Sequence, residues 1–244
     1  MSVANKVYSL SQNAEDEDEE QENEETKVTE TEAEAYPVEE TEYKYLIPRE
    51  DLLASGVQIG TKVRIKEMRS FIRAVRSDGL SILNLQTIDQ RIRTSGLFIS
   101  RFEPNKVVAV SGKEYGKVPV QKFCEHVGAF PVIGRFPPGL FSNPVFSGHI
   151  SPEVVIVSDP KVDYKAVTEA SIVGVPVIGV CDTDNSCSDM DLVIPGNNKG
   201  RRALATVFYL LAREILRIRG TISKDGELPE PVTAFESPVL VEGD

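Results

Sequence analysis

The sequence has no tryptophan, two histidines and three cysteines in 244 residues. The missing tryptophan excludes nothing by itself. The cysteines exclude more: three thiols do not make a disulfide framework, and Cys181 and Cys187 have neither zinc-ligand spacing nor a histidine nearby. Reduced thiols, a cytoplasmic setting and no metal are expected. His126 falls at the end of a helical stretch and His149 in a loop, and neither stands beside a nucleophile, so general-base catalysis has no support. No apolar run approaches the ~18–20 residues a membrane helix needs; the best, Val173–Cys181, is interrupted by Pro176. A basic segment leading into an apolar one is missing from the N-terminus, so no secretory leader is expected. There is no G-x-G-x-x-G after a strand, no G-x-x-x-x-G-K-[ST] and no G-x-S-x-G.

What the chain has is charge, unevenly placed. The formal net charge is -11. Residues 1–45 hold 15 acids and 3 bases, residues 221–244 hold 6 acids and one base, and residues 46–220 hold 17 acids and 23 bases. A basic body sits between two acidic ends, and such asymmetry speaks to partners rather than to fold. Residues 1–45, dense in glutamate and poor in apolar groups, are expected to form a disordered acidic arm, because they cannot bury enough surface to offset the entropy of ordering. This arm could screen the basic body or act as a solubilising tail. Residues 221–244 are expected to be a loose acidic tail. The 175 residues between them can support one core.

Within the body, Pro48 followed by Arg49–Ser55 and Gly56 reads as a short helix. Ser77-Asp78-Gly79 between two alternating runs reads as a hairpin. Gln86–Phe102 is loosely helical. From Lys106 onward, β-branched runs (106–110, 130–133, 153–157, 176–180, 192–194) alternate with helical stretches (114–126, 163–173, 198–219). Strands apolar on both faces and alternating with helices imply a mainly parallel sheet covered on both sides. The expected fold is therefore α/β, a three-layer α/β/α domain with a Rossmann-like or flavodoxin-like sheet. Its strands would end near 111, 158, 182 and 195 along one edge, where ligands of such sheets bind.

Several groups of residues could carry chemistry. Ser111-Gly112-Lys113 could hold a phosphate or form an ordinary strand-to-helix turn. Asp159, Asp182, Asp184, Asp189 and Asp191 could gather a hard metal or cap turns and helices. Together with the sheet topology these leave open a sugar-phosphate or nucleotide-binding α/β enzyme as the alternative reading. The basic features are denser. Lys62, Arg64, Lys66, Arg69, Arg73 and Arg76 fall within fifteen residues that contain one acid, Glu67. Cations held so close repel one another unless an anion neutralises them, and a polyphosphate backbone does so with release of counterions. Arg213, Arg217 and Arg219 suit a helix C-terminus. The loop Gly134–Gly148 combines Arg135, Phe136, Phe141, Asn143 and Phe146 with three prolines. Its rings could stack on splayed bases or pack as a cluster under the loop.

Six blocks in order carry a resemblance. They are Leu53-Ala54-Ser55-Gly56-Val57-Gln58-Ile59-Gly60-Thr61, Arg76-Ser77-Asp78-Gly79-Leu80, the Gly134-Arg135-Phe136 loop ending in Asn143-Pro144, the stretch Pro152–Pro160, the stretch Gly174–Asp182, and Asp191–Arg202 with its core Asn197-Asn198-Lys199-Gly200. Together they resemble the small-subunit ribosomal protein S-two family over residues 46–220. Only ten residues separate Asn143 from Glu153, which resembles the archaeal branch, without the helical insertion of bacterial members. Gln58 stands where family members usually have histidine. The resemblance implies a non-enzymatic constituent of the small ribosomal subunit in the cytoplasm. It would bind 16S rRNA and neighbouring ribosomal proteins, without cofactor, metal, membrane or small-molecule substrate. The RNA-binding residues expected from the resemblance and the charge pattern are Lys62, Arg64, Lys66, Arg69, Arg73, Arg135, Phe136, Asn143, Asn197, Asn198, Lys199, Arg201 and Arg202.

Overall fold

A computed structural model describes residues 43–239. The expectations for residues 1–42 and 240–244 lie outside the described residues.

The elements are α1 (Arg49–Ser55), a 3₁₀ helix (Lys66–Phe71), β1 (Ile72–Val75), β2 (Ser81–Leu83), α2 (Leu85–Ile99), β3 (Val107–Ser111) and α3 (Glu114–Val127). They continue with β4 (Phe130–Ile133), β5 (Val154–Val157), α4 (Tyr164–Val173), β6 (Val177–Cys181), β7 (Leu192–Pro195), α5 (Arg201–Ile218) and a last 3₁₀ turn (Val232–Phe235). Strands β3 to β7 form one five-stranded sheet in the order β4-β3-β5-β6-β7, with every pairing parallel. This is the doubly wound order in which the chain reverses direction across the sheet between β3 and β5. β1 and β2 form a separate antiparallel hairpin.

Alternation along the strands explains the layers. Val107 and Ala109 of β3, Val154 and Ile156 of β5, and Ile178 and Val180 of β6 point to one face, where α2, α3 and α5 cover them. Val108, Val110, Val155, Val157 and Val177 point to the other. There Ala166, Val167 and Ala170 of α4 cover only part of the sheet, and the loop after β4 supplies the rest through Phe136, Leu140 and Phe141. The loop is pinned by Glu169 of α4, whose carboxylate accepts the backbone N–H groups of Gly139 (2.6 Å), Phe141 (3.1 Å) and Ser142 (3.3 Å). Its irregular composition therefore serves as a lid for the core where a helix would otherwise lie.

The expected loose tail is corrected over residues 221–239. Leu228 and Phe235 are buried, and the Phe235 ring packs edge-on to Tyr209 and stacks on His126. One cause is legible in α3. Pro119 has no N–H to give the carbonyl of Tyr115 one turn back, and that carbonyl instead accepts the Ser237 hydroxyl at 3.0 Å. Arg201 closes the strap by donating to the Ser237 carbonyl at 3.1 Å and pairing with Glu236 at 3.2 Å. The cations of α5 are also used otherwise than expected. Arg213 is buried in mid-helix and donates to the Leu46 carbonyl at 2.6 Å. Arg217 grips the Gly226 carbonyl, and Arg219 those of Val127 and Phe102. Arg213 and Arg217 thus tie the chain at either end of the domain to its longest helix, and Arg219 ties that helix to the ends of α3 and of the turn after α2.

Candidate nucleic-acid interface

In a sheet of this order, ligands ordinarily enter the crevice beyond the carboxyl ends of the strands at the reversal point. Here the chain fills that crevice itself. The Gly112 N–H, which a phosphate would need, donates to Asp163 Oδ1 at 2.7 Å. Lys113 Nζ pairs with Asp159 Oδ2 at 2.7 Å. The Ser158 hydroxyl donates to Ser111 Oγ at 2.8 Å. Asp159 also accepts Asn185 Nδ2 at 2.9 Å, and Asn198 Nδ2 donates to Asn185 Oδ1 and to the Val180 carbonyl, both at 2.9 Å. Of the other carboxylates, Asp182 and Asp184 hold Lys199 and Asp191 accepts the Val177 N–H, while Asp189 is exposed. Among the described residues no three His, Cys, Asp or Glu side chains are grouped to hold a metal ion.

Burial has a consequence for Asp163, whose carboxyl is pushed up to about 6 against hydrogen bonds from Gly112 and Ser158 that favour its charge. The free carboxyl of an unfolded chain titrates near 3.9. The folded state therefore holds this proton more tightly, and the Asp163 contribution to stability falls as pH rises from about 4 to about 6. A shift of about two pH units corresponds to about 2–3 kcal/mol. Urea unfolding of the wild type and Asp163→Asn checks this. The stability of the variant relative to the wild type is expected to fall by that amount on acidification from pH 7 to pH 4, and a difference constant over the range contradicts it.

Free positive charge lies elsewhere, on the segment before the hairpin. Residues 57–61 run beside β2: Gly60 N–H donates to the Ser81 carbonyl at 2.8 Å and Leu83 N–H to the Gln58 carbonyl at 2.8 Å. Gln58 Nε2 donates to the Leu53 carbonyl at 3.3 Å, which closes the turn after α1. The segment is then stapled to the loop between β6 and β7. Thr183 accepts the Thr61 N–H on its hydroxyl at 2.9 Å and the Ile65 N–H on its carbonyl at 2.9 Å. The approach is so close that a Cβ on Gly60 would stand 2.6 Å from Thr183 Cγ2. Glu67 turns toward the same loop and accepts from the Cys187 N–H and the Ser186 hydroxyl. Met68 is buried beneath it.

This clamp consumes the only acid of the segment and leaves its cations outside. Lys62, Arg64, Lys66, Arg69 and Arg73 are all exposed, and none makes a side-chain hydrogen bond or ion pair among the described residues. A bulge adds to the effect. Ile72 pairs with Leu83 and Ala74 with Ile82, so Arg73 is the extra residue on β1, a device that re-aims a side chain. Lys62, Arg64, Arg69 and Arg73 line one open groove of about 550 Å³, with Ile72, Ala74 and Val75 as its apolar part.

The remaining site residues expected from the sequence divide. Arg135 is exposed and has no partner among the described residues, and Asn143 is exposed at the loop tip with its Oδ1 accepting the Val145 N–H at 3.0 Å. Phe136 does not face solvent: it is buried edge-on against Phe141, because the sheet needs cover there. Asn198 is likewise buried and spent in the crevice network. Asn197 caps the turn that leads into α5, accepting the Lys199 and Gly200 N–H groups at 2.9 Å. Lys199 is paired with Asp184 at 2.6 Å, Arg201 with Glu236, and Arg202 is two-thirds exposed at 3.8 Å from Glu236. Thr183, Glu67 and Glu169, which set these geometries, carry no sequence signal of their own, since their partners lie up to 122 residues away.

Fold and site define a doubly wound α/β/α domain whose ligand crevice is closed by its own side chains and which displays, on an outlying groove, cations without partners among the described residues. The family model for Ribosomal protein S2 matches residues 145–217. The small ribosomal subunit protein uS2 of Thermofilum pendens is 50% identical over 203 residues, covering 83% of this chain and 95% of that protein. Its counterpart from Staphylothermus marinus is 50% identical over 191 residues, 78% of this chain and 87% of that one. That from Korarchaeum cryptofilum is 48% identical over 204 residues, 84% and 93% respectively. The chain belongs to the ribosomal protein S2 family, in the company of archaeal relatives, and is a structural constituent of the small ribosomal subunit rather than an enzyme. Among the described residues no helix is long and apolar enough to cross a membrane.

Proposed function

We propose that this chain holds the 16S rRNA of the small subunit through the groove of Lys62, Arg64, Arg69 and Arg73, flanked by Lys66 and by Arg135 on the loop after β4. The observation that carries this reading is that five cations on one short segment are exposed and unpaired among the described residues, while the segment's one acid, Glu67, is hydrogen-bonded to the loop between β6 and β7. Their cost of mutual repulsion is offset when phosphates replace counterions. Guanidinium forks favour phosphate oxygens in bidentate geometry, and contacts of this kind position a backbone recognised by shape rather than by base sequence.

Arg202 is a secondary phosphate contact at the start of α5, and Lys199 reaches RNA only by leaving Asp182 and Asp184. Phe136 and Asn198 act through the fold and do not touch RNA. Asn143 and the loop tip, where Val145 is 90% exposed, face a neighbouring ribosomal protein of the cytoplasmic particle. The reading is tested by titrating the full chain against small-subunit rRNA at several salt concentrations. Affinity falls steeply with salt if the groove neutralises phosphates, and an affinity that does not vary with salt overturns it.

A further inference from the structure

The loop that fixes the basic groove also gathers sulfur. Cys181 closes β6 and is buried. The Cys181 thiol donates to the Gly179 carbonyl at 3.7 Å, and six residues on the loop brings Cys187 back within electrostatic reach of it. On the far side of Cys187, its Sγ lies 3.3 Å from Sδ of Met68. Met68 comes from the 3₁₀ helix 119 positions away in the chain and is fully buried. Glu67, next to it, holds the Cys187 backbone N–H, so the sulfur of Cys187 is positioned from both sides. A fourth sulfur is close: a Cβ on Gly179 would stand 2.6 Å from Met190 Sδ and 3.4 Å from Cys181 Sγ.

We propose that Cys181, Cys187 and Met68 form a binding site for a soft monovalent d¹⁰ cation of the Cu(I) or Ag(I) class. Two thiols and a thioether converge from two chain segments, with no imidazole among them and with carboxylates engaged elsewhere. Thiolate and thioether donors select Cu(I)-type ions, whereas a thioether is a poor ligand for the harder divalent metals. Cys187 is half-exposed and gives the ion a way in, while Cys181 and Met68 are closed to water. Each thiol that binds releases its proton to solvent, and no electron is transferred. The third cysteine, Cys124, is buried in α3 within the core between helices and sheet and takes no part. Because the ligands come from both halves of the clamp, an ion bound there links the segment 61–71 to the loop 181–190 and stabilises the fold by mass action. This inference does not rest on RNA binding.

The test uses the reduced full-length chain under nitrogen, titrated against the coloured Cu(I) complex of bicinchoninate. One equivalent of Cu(I) is expected to leave the indicator per chain, with a rise in melting temperature. Met68→Leu keeps volume and apolar character and leaves both thiols in place. It is expected to weaken Cu(I) binding by at least about tenfold, since loss of even an outer partner of a metal ligand costs that much. Cys187→Ser is expected to abolish binding, and Cys124→Ser to leave it unchanged. The proposal is overturned if the indicator keeps its Cu(I), or if Cys187→Ser or Met68→Leu binds as the wild type does. It is also overturned if copper addition consumes two thiols by disulfide formation between Cys181 and Cys187.

Discussion

Replacing Lys62, Arg64, Arg69 and Arg73 together by alanine is expected to remove most of the salt dependence of rRNA binding. Each phosphate neutralised contributes about 0.7–0.9 to the slope of log affinity against log salt. Four contacts then account for about three in that slope, and for about a hundredfold loss of affinity between 50 and 200 mM salt. The quadruple variant loses affinity at low salt and varies much less with salt thereafter. Stability is expected to be little changed, because none of the four makes a side-chain hydrogen bond or ion pair within the described residues. Phe136→Ala is the instructive contrast. It removes a buried ring from the second core cluster and should cost about 3–5 kcal/mol of stability, with no change in the salt slope of whatever protein remains folded. If the quadruple variant keeps the wild-type slope, the groove does not neutralise phosphates.

The second large effect concerns the closed crevice. Asp159→Ala is expected to destabilise the domain by about 3 kcal/mol, the lower end of the range for a buried ion pair broken from one side. It removes the partner of Lys113 at 2.7 Å and the acceptor of Asn185 at 2.9 Å. Lys113 keeps 21% of its side chain in water, which limits the loss. For a domain of this size that is about 6–12 °C in melting temperature. Asp184→Ala, which removes a more exposed partner of Lys199, should cost about 1 kcal/mol or less. Thermal melts of the two variants side by side check the ranking. Equal and small shifts would mean that the crevice is not held by its own charges.

Much of the fold was legible because its signals are local and redundant. The strands from β3 to β7 are short β-branched runs, and the helices between them carry apolar periodicity, so each element is found within a residue or two of its expected place. Asp78-Gly79 marks the hairpin turn between β1 and β2, as the alternating runs around it imply. The start of α5 was misplaced by three residues, because Asn197 caps the turn before it and Asn198 points into the crevice. The strap after Gly220 was illegible for a different reason. Its acids and prolines look like a solvated tail, while its anchors, Phe235 and Ser237, act through Tyr209 and the free carbonyl of Tyr115.

The site was legible in composition but not in geometry. Six cations beside one acid point to an anion, yet only the structure shows that Arg76 pairs with Asp78 while the clamp to Thr183 and the hydrogen bonds of Glu67 to the loop leave the other five unpaired among the described residues. Conversely, Phe136, Asn198 and Arg201 have the side chains of RNA ligands and spend them inside the protein. Aromatic, amide and guanidinium groups serve core, network and partner equally well, and burial alone decides which. The enzyme alternative was suggested by the strand order and the Ser111–Lys113 turn. It fails on where Asp159 and Asp163 lie, since they occupy the donors a phosphate would need.

The most direct measurement is sedimentation of the tagged full chain through a sucrose gradient of cell extract, at low and at high salt. The account places the wild type with the small ribosomal subunit at low salt, and requires the groove variant to be released from that peak at a lower salt concentration. Recovery of the wild-type chain only in the light fractions at the top of the gradient would contradict it.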